Sequence, residues 1–360
     1  MDRPPSSRAR KGRGATGNPG HRFSAFERET VDDGWPAADD EPPARLDTVL
    51  SAVTSRSIVS HNRSPDVPFE ASINPYMGCE HGCIYCYARP SHAYWDLSPG
   101  LDFETRILYK PNAADLLRRH LDRRDHHVTP IALGANTDPY QPAEAKLRIT
   151  RQLLETFLAY RHPLTIVTKG ALIERDLDLL AELASHRLVG VMISLTSLDA
   201  ALKRSLEPRA AGPGTRLRTI RMLHDAGVPV GTLVAPVIPA INDHEIERLV
   251  AAAATAGASR AGYVLLRLPH EVAPLFRDWL DTHFPERAEH VMSLVRQSRG
   301  GRANDSDFTQ RMTGRGVFAD MIAKRFRVAC RRHGLDPRER FPLDATAFRR
   351  PDDDVQRDLF

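Results

Sequence analysis

The chain has 360 residues, 41% of them hydrophobic, 27% charged and 7% aromatic, with a formal net charge of +4, the composition of a globular protein with one domain and tails or two modest domains. No run approaches the roughly 18 apolar residues of a membrane span, and the start, MDRPPSSRARKGRGATG, lacks the apolar core of a secretory signal. Four cysteines in this length do not make a disulfide scaffold, so we expect reduced thiols in a cytoplasmic protein with no membrane partner.

Residues 1–60 read as a disordered tail, poor in apolar residues and without a sustained period. Its first part is basic, with seven Arg and Lys against three acids over 1–30; residues 31–47 carry six acids and only Arg45. Gly12-Arg13-Gly14 would serve there as a flexible arm on phosphates or stay solvated. Strand-like runs follow at 69–74, 128–134, 164–168, 188–195, 229–235 and 261–267. Helical patterns alternate with them at 150–160, 175–185, 215–226 and 243–256. Asp243 stands where a helix would begin, and Gly227 and Gly257 where helices would end.

This alternation predicts parallel βαβ units. Six strands fall short of the eight of a closed barrel, so the expected fold class is α/β, a partial (β/α)6 TIM-like barrel over 65–285. A helical region is expected over 286–340 and a polar tail over 349–360. Residues 296–340 hold twelve Arg and Lys against five acids, which fits either a surface for nucleic acid or a solvated Arg-rich face.

The sharpest feature is NPYMGCEHGCIYCYARP, residues 74–90, directly after the first expected strand. Cys79, Cys83 and Cys86 are spaced C-x3-C-x2-C, close enough for one loop to place three thiolates on three corners of an iron–sulfur cube. Three ligands leave one iron open to a substrate or cofactor, as catalytic metal sites leave a coordination position unfilled. Zinc held by the same three cysteines with His81 or Cys330 is the alternative ligand set.

Cys79-x3-Cys83-x2-Cys86, with Tyr85 before the third cysteine, resembles the signature of the radical S-adenosylmethionine (radical SAM) superfamily. Asn136-Thr137-Asp138-Pro139-Tyr140-Gln141-Pro142, Thr168-Lys169, Ser194-Leu195-Thr196, Glu207-Pro208, Ala235-Pro236-Val237-Ile238-Pro239 and Asn242-Asp243 are similar to the branch containing spore photoproduct lyase. SDFTQRMTGRGVFADMIAKRF and GRGATGNPGHRF resemble uncharacterised relatives in that branch. The resemblance implies a [4Fe–4S] cluster whose open iron chelates S-adenosylmethionine, and one-electron cleavage to methionine and a 5′-deoxyadenosyl radical. It also implies an electron donor of the flavodoxin or ferredoxin type. The lyase is expected to use a further cysteine as hydrogen-atom donor. This chain has none in the barrel outside the cluster loop, and Cys330 would serve only if its helix folded over the barrel mouth.

On that resemblance, strand ends supply the cofactor contacts. Thr137 and Asp138 are candidates for the amino group, Lys169 for the carboxylate as a point charge, and Ser194 and Thr196 for ribose or carboxylate. Tyr85 offers a ring to the adenine face, and the backbone from Ala235 to Val237 its edge. Arg267 is a candidate for substrate or cofactor, and Tyr87 and Tyr140 for facing the radical; His81 is expected to be exposed or bonded locally. The final Gln356-Arg357-Asp358-Leu359-Phe360 is similar to the peptide with which bacterial DNA enzymes dock on a sliding clamp, with Gln356 as latch and Leu359 and Phe360 as anchors. The expected function is radical chemistry on an unidentified substrate, with nucleic acid the leading class. The competing function is a non-catalytic iron–sulfur protein that binds nucleic acid. Methyl transfer would call for a Gly-rich nucleotide loop after a first strand, which is missing.

Overall fold

The computed structural model describes residues 10–24, 46–337 and 340–351. Its strands are β1 (Val49–Ala52), β2 (Val59–His61), β3 (Ala71–Ile73), β4 (Tyr76–Met77), β5 (Arg106–Tyr109), β6 (Ile131–Leu133), β7 (Leu164–Thr168), β8 (Val189–Ser194), β9 (Val230–Val237) and β10 (Arg260–Leu265). Seven form one sheet in the order β10-β9-β8-β7-β6-β3-β2. The six from β3 to β10 run parallel, and β2 pairs antiparallel at the edge. All six strands expected from the sequence are present, and the chain builds a partial β/α barrel.

Register decides what each face holds. Ile73, Leu133, Ile166, Val191 and Val230 pair in one row across five strands. All are buried in the main core, each contributing roughly 1.5–3 kcal/mol. One residue earlier, Ser72, Ala132, Thr165 and Gly190 form the next row. Successive residues of a strand point to opposite faces, and Ser72, Ala132 and Thr165 line the barrel cavity. Apolar side chains therefore meet the helices while small side chains leave room inside.

The helices Ile149–Ala159, Leu177–Ser185, Pro213–Asp225 and Ile246–Thr255 cover the outer face. Leu153, Phe157, Leu180, Ile220 and Leu249 enter the same core. Gly227 and Gly257 follow two of these helices with left-handed φ of 75° and 104°, as expected of C′ glycines. Asp243 opens a 3-10 turn, Asp243–Glu245, and the helix proper starts at Ile246.

Three expectations need correction. Parts of the 1–60 tail are built into the fold: β1 pairs with β5 in a second sheet, order β1-β5-β4, and Gly12-Arg13-Gly14 is not a free arm. Arg13 is buried, donating to the carbonyls of Glu104 (2.8 Å) and Leu46 (2.5 Å). Among the described residues the 286–340 region is helical only over Ala288–Gln297 and Val317–Arg332, with turns between them. Its basic surplus is also not bare: Arg296 pairs with Glu289, Arg311 with Asp66 and Arg325 with Glu247, while Arg299 is buried on carbonyls. Gln356, Leu359 and Phe360 lie outside the described residues. No described helix is long and apolar enough to cross a membrane.

Candidate functional site

The cysteine loop begins where β4 ends. Gly78 and Gly82 take left-handed φ of 81° and 68°, a backbone region that favours glycine. The Cys79 N–H donates to the Phe103 carbonyl at 2.8 Å. Gln141 holds the loop from one side: its Oε1 accepts from the Glu80 N–H (2.9 Å) and its Nε2 donates to the Gly78 carbonyl (3.2 Å). Arg89, wholly buried, holds it from the other through the Cys83 carbonyl (2.9 Å) and the carbonyls of Pro99 and Gly100 (3.0 and 2.9 Å). Glu104 closes this brace, pairing with Arg89 and accepting from the Gly14 and Ala15 N–H groups at 2.9 Å each. Each satisfied buried polar group adds to the rigidity of the loop.

Cys79, Cys83 and Cys86 all line the barrel cavity, of about 1260 Å³, together with Tyr85, Asp138, Lys169, Ser194 and Ala235. None is disulfide-bonded, and burial pushes all three thiols up from their ordinary pKa. A cation that binds thiolates offsets this cost of ionisation. Among the described residues no three His, Cys, Asp or Glu side chains converge as ligands to a single ion. A cube places each thiolate on a different iron, so its ligands need no common point, and this soft donor set on a rigid loop fits it. Cys330 is fully buried in the helix Val317–Arg332 among Ala319, Ile322 and Phe326, away from the cavity lining. The C-terminal helix therefore does not bring it over the barrel mouth.

The residues expected to hold the cofactor divide into two groups. Lys169, Ser194, Tyr85 and Ala235 reach the cavity. Among the described residues the Ser194 hydroxyl makes no hydrogen bond, while the Ser194 carbonyl accepts from Arg216 at 2.9 Å. Thr137 and Thr196 do not reach the cavity. The Thr137 hydroxyl donates to the Tyr76 carbonyl (2.7 Å); that of Thr196 lies 2.8 Å from Glu207 and 2.9 Å from the Ala235 carbonyl. Asp138 lines the cavity with its acceptors already engaged by the Thr168 hydroxyl (2.6 Å), the Tyr140 and Lys169 N–H groups (2.9 and 2.7 Å) and His81 Nδ1 (3.3 Å). Burial alone would raise its carboxyl; His81, Thr168 and the Lys169 N–H outweigh burial and hold it at about 2. With some four lone-pair sites filled, Asp138 ties three loops together and has little capacity left for an amino group. His81 is buried rather than exposed, and Tyr140 packs in the core outside the cavity.

Glu207 is the residue whose part sequence reasoning missed. Buried to 1% exposure, it accepts from the Tyr85 hydroxyl, Thr196 and Arg216, and lies 3.8 Å from Lys169 Nζ. Burial opposes its charge, but Arg216 and Lys169 prevail and hold the carboxyl at about 2. The Lys169 ammonium also stands 5.9 Å over the Tyr85 ring. The Glu207-Pro208 dipeptide was visible as part of the resemblance, yet its partners come from separate strands and helices and only folding collects them.

An open β/α barrel that presents three thiols of one loop to its interior defines a class of cluster-dependent barrel enzymes. The radical SAM superfamily profile matches residues 73–253, half of the chain, and the chain belongs to that superfamily, as an enzyme of radical chemistry that depends on an iron–sulfur cluster and S-adenosylmethionine. An uncharacterized protein of Mycobacterium tuberculosis (strain ATCC 25618 / H37Rv) is 38% identical over 233 residues, covering 64% of this chain and 68% of that protein. An uncharacterized protein of Methanocaldococcus jannaschii is 28% identical over 173 residues, 48% of this chain and 62% of that protein. A solved spore photoproduct lyase complexed with dinucleoside spore photoproduct gives a TM-score of 0.54 at 18% identity, covering 79% of this chain and 80% of that one. A mutant of that lyase gives 0.58 at 17% identity with the same coverage. At such identity the likeness speaks for the fold.

Proposed function

We propose that Cys79, Cys83 and Cys86 hold a [4Fe–4S] cluster, that S-adenosylmethionine binds at its open iron, and that a substrate in the barrel cavity loses a hydrogen atom to start the reaction. The single observation that carries this reading is that the three buried thiols open on one cavity with Lys169, Ser194 and Ala235. When bound and reduced by a flavodoxin- or ferredoxin-type donor, the cluster and S-adenosylmethionine supply a 5′-deoxyadenosyl radical and methionine.

The chain's own groups orient that cofactor and exclude water. Lys169, steadied by Glu207 and Tyr85, takes the methionine carboxylate. The free Ser194 hydroxyl takes the carboxylate or a ribose hydroxyl. The Thr196 hydroxyl, its one proton shared between Glu207 and the Ala235 carbonyl, holds that strand end in place as a ledge for the adenine edge. Thr137 and Asp138 act by positioning the loop after β6, in place of the amino-group contact expected from sequence.

For the substrate we propose the nucleic-acid class. Its support is the fold likeness to a lyase solved with a dinucleoside photoproduct and a cavity wall that includes Arg63 and Arg267. Binding of single- and double-stranded DNA and RNA that weakens steeply with salt supports this class; no binding to any of them removes it.

Anaerobic reconstitution tests the chemistry. The expected result is about four irons per chain and 5′-deoxyadenosine released under reductant, both lost in Cys79→Ala, Cys83→Ala and Cys86→Ala. A cluster without 5′-deoxyadenosine favours the non-catalytic nucleic-acid-binding protein. Iron retained by the triple alanine variant overturns the ligand assignment.

A further inference from the structure

We infer that Arg267 anchors an oxyanion, phosphate or carboxylate, on the molecule that enters the barrel to react. Reading that anion as the substrate's rests on the radical chemistry proposed above.

Arg267 follows β10 and lines the cavity beside Cys86 and Tyr87. Its guanidinium lies 4.6 Å over the Tyr87 ring, and the Tyr87 hydroxyl donates to the Ala135 carbonyl, so the platform beneath the cation is held in place. Among the described residues none of its five N–H donors makes a hydrogen bond and no carboxylate pairs with it.

Arg63 and Arg340, the exposed arginines of the cavity wall, meet solvent, whereas the more buried arginines of the fold are engaged. Arg299 spends its guanidinium on the carbonyls of Leu265, Leu266, Gln310 and Arg311. Arg311 pairs with both oxygens of Asp66. Arg216 takes Glu207. The carboxylates of the cavity wall are Glu70 and Asp138; Asp138 is spent on other donors, and among the described residues Glu70 makes no ion pair. Burial first and Arg311 second oppose charge on Arg267, against Tyr87, Asp66 and Cys86, which favour it; the guanidinium stays protonated. A part-buried cation left without a partner is costly, and its planar fork matches an oxyanion bidentately. In sheet order β10 stands three strands from β7, so Arg267 and Lys169 make two anion sites rather than one clamp.

The test uses phenylglyoxal, an arginine reagent, on the full chain after anaerobic reconstitution, with each modified arginine read by peptide mass spectrometry. We expect Arg267 to be modified in anion-free buffer and protected about tenfold by inorganic pyrophosphate if the anion is phosphate, or by acetate if it is carboxylate. Arg302 should be equally modified in every arm. Calorimetry should show the preferred anion binding about tenfold more weakly to Arg267→Gln, with Arg267→Lys partly restored and S-adenosylmethionine affinity unchanged in both. Equal protection of Arg302, no protection by either anion, or protection by S-adenosylmethionine alone overturns the assignment. The cluster spectrum of the same samples separates the two ideas: Arg267 protected in a colourless sample sinks the radical reading and leaves the anion site standing.

Discussion

Gly14 stands against Gly82 so closely that a Cβ on residue 14 would come within 1.9 Å of the Gly82 carbonyl oxygen. A segment that begins far upstream of the barrel thus packs directly on the turn between Cys79 and Cys83. The Gly14 and Ala15 N–H groups on Glu104, and Asn18 and Asp102 exchanging two hydrogen bonds of 2.9 Å, fasten the same strap.

Gly14→Ala should therefore displace the cysteine loop, costing about 1–3 kcal/mol by overpacking and lowering iron retained after reconstitution. Gly17→Ala is the control, since a Cβ there meets nothing within 4 Å. Equal iron content and equal melting temperature in the two variants would refute the strap.

Glu207→Gln removes the charge that Arg216 and Lys169 share. Breaking a buried pair leaves an uncompensated cation, so the variant should be destabilised by about 3–5 kcal/mol, measured by urea unfolding. A loss below about 1 kcal/mol, the range of exposed ion pairs, would show that the cluster of Tyr85, Thr196, Arg216 and Lys169 does not depend on it.

His162 and His126 face each other with their Nε2 atoms 3.1 Å apart. Burial, reinforced by His126, depresses His162 from 6.5 to about 3; burial, reinforced by His120, depresses His126 to about 4. Both are neutral in the fold and protonate more readily in the unfolded chain. The stability that this neutral pair contributes is complete above pH 6.5 and should decline as pH falls from there toward 3. His162→Gln should show a shallower fall of melting temperature between pH 6.5 and 4 than the parent, from a lower starting value. Parallel curves would contradict this.

Phe341 lines the cavity and packs its ring on Gly190 of β8. A Cβ on Gly190 would meet its ring at 2.2 Å, and the Arg260 guanidinium lies 4.3 Å from the ring centroid. Gly190→Ala should cost about 1–3 kcal/mol, while adding Phe341→Ala should relieve part of that cost, so the double variant is more stable than the sum of the single effects. Strict additivity would mean that the ring simply moves aside.

Much of the fold was legible because its signals are local. Strand periodicity, helix-ending glycines and the spacing of three cysteines all lie within short windows. The site was legible only in part. Lys169 and Ser194 were recognised as polar groups at strand ends and do reach the cavity. Thr137, Asp138 and Thr196 carry the same signal, yet their acceptors and hydroxyls are consumed by Tyr76, His81, Thr168 and Glu207. Nothing within a few residues of each distinguishes the two outcomes.

The primary structure alone determined the three-thiol loop, the six parallel strands and hence the family, since each depends on residue type and close spacing. Tertiary packing decided that Arg13 and Gly14 brace the loop, that Cys330 is buried away from it, and that Glu207 is held by Arg216 while Arg267 has no partner among the described residues. Those outcomes depend on which distant donors and acceptors meet. Pairing across tens to hundreds of residues is set by register and packing, which no short stretch of chain encodes.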